Sequence, residues 1–72
     1  MAENKEKMVF YPNLRAEMAR HGDTLDDIGK LLDMGVSSVG RRLSAETEWS
    51  ISEINILCKH YEMPYEVLFA RE

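Results

Sequence analysis

The sequence predicts an all-α fold of five short helices. Three observations lead there: apolar residues recur at three- and four-residue spacing along most of the chain, no stretch alternates apolar and polar residues as a strand would, and helix-starting residues stand ahead of four of the apolar runs. A chain of 72 residues holds one domain. A domain this small buries only about 60% of the surface its unfolded chain exposes, so its core is modest and dimerisation would strengthen it. Residues 10–72 are read as the domain. Residues 1–9 are read as a disordered leader, because Met1 to Lys7 mixes charges and offers nothing to bury. That stretch also lacks the apolar core of a secretory signal.

The first helix begins at Tyr11–Pro12, since proline at the first helical position loses no hydrogen bond. Leu14 and Met18 carry its apolar stripe, extended by Val9 or Phe10, and Gly22 suits the left-handed cap after His21. The second helix opens at Thr24, whose hydroxyl and Asp27 form a capping box, while Asp26 and Asp27 suit the positive helix end. Its stripe is Leu25, Ile28, Leu31 and Leu32, and it stops near Asp33. After the turn Asp33-Met34-Gly35, a third helix runs over about 36–43. Val39 and Leu43 form its thin apolar side, and Ser37, Ser38, Gly40, Arg41 and Arg42 fill the rest. Ser50 and Glu53 cap a fourth helix with the stripe Ile51, Ile54, Leu57, Cys58 and Tyr61. Trp49, just before that cap, is expected to pack near Ile54. Pro64 opens a last short helix through Tyr65, Val67, Leu68 and Phe69.

Bulk chemistry excludes several functions. One cysteine allows no internal disulfide and no metal site by itself, and fits a reducing cytoplasm, the expected location. No apolar run approaches the roughly 20 residues that span a membrane. Cys58 and His60, two apart on a helix, do not face each other, nor do the neighbours Asp26 and Asp27, so no metal site is expected. Cys58 reads as core, His60 as surface, and His21 as a favourable charge at a helix C-terminus. No nucleophile–base set, phosphate loop or dinucleotide fingerprint is present, so neither enzymatic activity nor a cofactor or small-molecule ligand is expected.

Thr24 to Leu43 carries the strongest signal: two short capped helices joined by about three residues, the form of a helix-turn-helix. The packing such a motif needs is there. Gly29 is the small residue facing the partner helix, Asp33 tolerates positive φ though less well than glycine, Met34 plugs the turn, and Val39 points to the core.

With Asn13-Leu14-Arg15, Thr24, Ile28-Gly29, Leu31-Leu32, Met34-Gly35, Val39-Gly40-Arg41, Leu43, Trp49-Ser50-Ile51 and Val67-Leu68-Phe69 in this order and spacing, the chain resembles the Cro/CI-type (XRE) helix-turn-helix family, whose fold is the five-helix lambda-repressor-like domain. The resemblance covers roughly 13–69. It implies a phage-type repressor that binds double-stranded DNA with its third helix in the major groove. Carried onto this sequence, the base-reading candidates are Val36, Ser37, Ser38 and Arg41; the phosphate candidates are Thr24, Lys30 and Arg42. Ser37 and Ser38 could serve bases or phosphates, or simply start a helix, and Arg41 and Arg42 could be a solvated face.

Four positions depart from the family pattern. Leu25 stands where a phosphate-contacting Gln is usual, Asp33 replaces the turn glycine, and Ser44-Ala45 replaces the Asn-Gly after the third helix. These changes predict weaker or more salt-sensitive binding, and the formal net charge of −4, from 9 Lys and Arg against 13 Asp and Glu, counts against DNA unless the basic residues gather on one face. A homodimer is expected on DNA, meeting half-sites about 34 Å apart. With no separate dimerisation domain after Phe69, the fifth helix (Tyr65, Val67, Leu68 and Phe69) is the expected contact. The acidic balance also motivates another function: a protein-interaction module, antirepressor or antitoxin-like, that keeps the fold without binding DNA.

Overall fold

Five helices organise residues 10–71, the part of the chain that the computed structural model describes. They are α1 (Pro12–His21), α2 (Leu25–Leu32), α3 (Val36–Leu43), α4 (Ile51–Tyr61) and α5 (Tyr65–Leu68), and no strand occurs among the described residues. The leader expected at 1–9, Val9 included, lies outside them.

Local chemistry sets the boundaries as expected. Pro12 is the first residue of α1, and Gly22 closes it at φ 72°, where its N–H reaches the carbonyls of Met18 and Ala19. Thr24 and Asp27 form a reciprocal capping box at the start of α2, and Ser50 and Glu53 form another at the start of α4. Asp33 ends α2 at φ 61°. Ala45, just after α3, likewise has positive φ, 63°.

Each helix sends one side chain to full burial: Leu14, Ile28, Val39, Leu57 and Leu68. These five belong to one core cluster. Met18, Leu43 and Tyr61 surround it, with Leu25, Leu32, Met34 and Cys58 partly buried against it. At one end, Tyr11, Trp49 and Phe69 meet edge to face, with ring centroids 5.6–6.3 Å apart. Trp49 therefore packs on aromatic partners, and Ile54 is partly buried against the same core cluster. Its buried indole N–H has no acceptor among the described residues, so its contribution is apolar.

The stripes need two corrections. Leu31 lies on the surface, because Ile28 and Leu32, four apart, carry the buried side of α2. Ile51 is 77% exposed, since α4 begins to be covered only at Ile54, one turn later. Leu68 of α5 and the following Phe69 close the core, which leaves Tyr65 and Val67 exposed.

Candidate nucleic-acid interface

The candidate interface is built on α2, the turn and α3, the most extensively packed helix pair. Their close approach depends on Gly29. A β-carbon there would stand 2.6 Å from the Met34 carbonyl oxygen, a backbone atom that cannot move aside alone. In the space left, the Met34 N–H donates to the Gly29 carbonyl at 2.9 Å. The turn is thus held by backbone contact, and Met34 packs its side chain against the core.

Val39 and Leu43 bind α3 to the core and so set which side faces out. Val36, Ser37 and Arg41 are exposed, with Ser37 and Arg41 four apart on one surface; Ser38 is half-buried. Gly35 precedes the helix without a side-chain cap, which leaves the first N–H groups of α3 open to an acceptor. The Arg41 guanidinium has no hydrogen-bond or ion-pair partner among the described residues, while its backbone carbonyl accepts the Glu46 N–H at 2.9 Å. This surface can offer a guanidinium fork, a hydroxyl and a methyl-bearing side chain to one groove-shaped partner.

The phosphate candidates stand differently. The Thr24 hydroxyl accepts from the Asp27 N–H at 3.1 Å and lies 3.0 Å from Asp27 Oδ2, so it is committed to its cap. Lys30 is exposed and sits 3.3 Å from Asp26, one turn earlier on α2. Arg42 turns inward. Its Nε donates to Glu53 Oε1 at 2.8 Å, with side chains only 22% and 15% exposed. Arg15, although exposed, also serves the fold: Nε donates to the Phe10 carbonyl at 2.8 Å and Nη2 to that of Leu43 at 3.0 Å. Arg15 therefore joins the segment before α1 to the last turn of α3.

A second polar cluster, which the sequence does not announce, lies between the α1–α2 connection and the end of α4. Tyr61 Oη donates to Asp23 Oδ2 at 2.6 Å, and His60 Nε2 is 3.2 Å from the same oxygen. His21 packs edge-on to the Tyr61 ring at 5.0 Å and lies 3.5 Å from Glu17. The Tyr61 hydrogen bond holds the Asp23 carboxyl below its ordinary range, against the opposing effect of burial. Burial, and then Asp23, push the Tyr61 phenol well up, so Tyr61 remains the donor. His60 is thus on the surface as expected, yet engaged. Burial, with Glu66 nearby, raises the Cys58 thiol, which suits a packing role rather than a reactive one. No group of acidic, histidine or cysteine side chains among the described residues could hold a metal ion. No helix there is long and apolar enough to cross a membrane.

Compared with known protein families, residues 5–72 match the model of the BetR domain. No curated protein and no solved structure matches the chain significantly.

Proposed function

Because the chain belongs to the BetR domain family, a small all-helical regulatory domain of helix-turn-helix type, we propose that it binds double-stranded DNA sequence-specifically in the cytoplasm as a small phage- or prophage-type transcriptional repressor. The observation that carries the reading is the outer surface of α3. Two buried residues anchor that helix, a glycine-to-carbonyl contact sets it against α2, and Val36, Ser37 and Arg41 stand outward with an uncapped helix start beside them. Seated in a major groove, Arg41 would pair with a guanine edge, Ser37 and Ser38 would meet bases or phosphates, and Val36 a thymine methyl. Lys30 is the phosphate contact that the arrangement supports best. One copy reaches only a few base pairs, so operator affinity is assigned to a homodimer.

The test is selection from a random duplex library at low salt, followed by a salt titration of the selected site. An enriched two-fold-symmetric site, bound with affinity that falls steeply as salt rises, is the expected result. Arg41→Ala should then lower affinity by about 1–3 kcal/mol and relax selection at one base position. Failure of the wild-type chain to bind any duplex at low salt would discard the reading.

One observation favours a second reading. Arg15 and Arg42 are committed internally and Lys30 sits beside Asp26, so on this surface Arg41 is left with little unpaired positive charge beside it. A protein-interaction module of the same fold would need none, and its partner binding would be unaffected by Arg41→Ala.

A further inference from the structure

We infer that Arg42 and Glu53 are positioning residues, which set the rotation of α3 about its own axis and so the direction in which Arg41 is presented to DNA. The inference rests on the DNA-binding reading above and gives Arg42 a role other than phosphate contact. A single oxygen carries the argument. Glu53 Oε1 accepts the Ser50 N–H at 3.0 Å, completing the capping box of α4, and also accepts Arg42 Nε at 2.8 Å. The start of α4 and the last turn of α3 are thereby joined at one atom.

The link matters because α3 is thinly anchored. It has eight residues, of which Val39 and Leu43 are buried, and an anchor of two side chains in one row resists rolling poorly. Arg42 lies about 100° around the helix from its neighbour Arg41. Holding Arg42 against α4 therefore fixes Arg41 on the outer side. The two side chains are mostly covered, and a covered ion pair adds little net stability after desolvation, while it constrains geometry strongly. To serve a phosphate, Arg42 would have to abandon a charge-assisted hydrogen bond and leave the covered Glu53 carboxylate without its cation. Arg15 secures the same end of α3 by its bond to the Leu43 carbonyl, so the end near α4 is held from two helices.

The experiment measures dissociation constants of the full chain for its selected duplex and for a scrambled one, across a range of salt concentrations. It compares wild type, Arg42→Gln, Glu53→Gln and the double variant, each first checked for helix content by circular dichroism. Glu53→Gln keeps an oxygen for the Ser50 cap. Should Arg42→Gln fail to fold, the Glu53→Gln comparison carries the test alone. The expected result is that each single variant binds the selected duplex about tenfold more weakly, with the scrambled duplex little affected and the salt slope unchanged. The double variant is expected to be no worse than either single one, because the same charged Arg42–Glu53 pairing is lost in all three. Three results would overturn the inference: a salt slope lower by about 0.9 in Arg42→Gln, the signature of one lost phosphate contact; equal weakening on both duplexes; or wild-type or tighter binding by Glu53→Gln. Wild-type chain that binds no duplex at low salt would instead overturn the DNA reading itself, and the positioning role with it.

Discussion

Gly29 concentrates more constraint than any other residue of α2. Its missing side chain is the space through which the Met34 carbonyl passes, and that passage lets the second and third helices meet at their angle. Gly29→Ala is expected to destabilise the domain by about 1–3 kcal/mol, the usual cost of overpacking, read as a lower midpoint in urea. Asp23 has a different kind of influence. Its carboxyl is held below its ordinary range by the Tyr61 hydroxyl, so the folded state favours the ionised form. That contribution is complete above the unfolded pKa of about 3.9 and is lost as pH falls through the lower folded value. Tyr61→Phe removes the cause. The variant is expected to lose less melting temperature than wild type between about pH 5 and pH 2, although it is less stable at neutral pH.

Among the elements, α3 shows the clearest conflict between stability and purpose. Gly40 lies inside a helix at ordinary φ, and a β-carbon there would meet nothing within 4 Å. Glycine in a helix interior costs roughly 0.5–1 kcal/mol relative to alanine. Gly40→Ala is therefore expected to raise stability by that amount in chemical denaturation. If the surface enters a groove as proposed, the same change lowers affinity for the selected duplex, because the added methyl stands where a DNA strand approaches. The helix of four residues, α5, cannot stand alone. It persists because Leu68 and the following Phe69 fit into the core, and because the Asn13 side-chain amide donates to the Val67 carbonyl at 2.8 Å.

At the scale of the whole molecule, a core with one fully buried residue from each helix is cooperative but small. The proposed dimer would add to it. With Leu68 and Phe69 turned inward, the part of α5 left for a second copy is Tyr65, 56% exposed, and Val67, 39% exposed. The double change Tyr65→Lys with Val67→Lys is expected to shift sedimentation velocity toward the monomer and to weaken operator binding, while leaving helix content intact. The distribution of charge also belongs to this scale. Of the cations Arg15, Lys30, Arg41 and Arg42, Arg15 and Arg42 serve the fold, Lys30 is beside an aspartate, and the Arg41 side chain alone projects without a partner among the described residues.

The sequence by itself determined the five helices, the turn geometry at Gly22 and Asp33, both capping boxes, and the burial of Leu14, Ile28, Val39 and Leu57. All of these follow from helical periodicity and from hydrogen bonds between residues at most a few positions apart, which the order of residues states directly. The outward side of α3 was legible for the same reason: once Val39 and Leu43 face the core, Ser37 and Arg41 cannot. Only the tertiary structure decided which arginines remain available. Arg42 meets Glu53 across 11 residues, Arg15 meets Leu43 across 28, and Asp23 meets Tyr61 across 38. It also decided that Ile51 stays in solvent while Leu68 and Phe69 do not. Helical spacing identifies an apolar side chain's side of its own helix, but whether another helix arrives to cover it, or to claim a guanidinium, depends on the assembled packing.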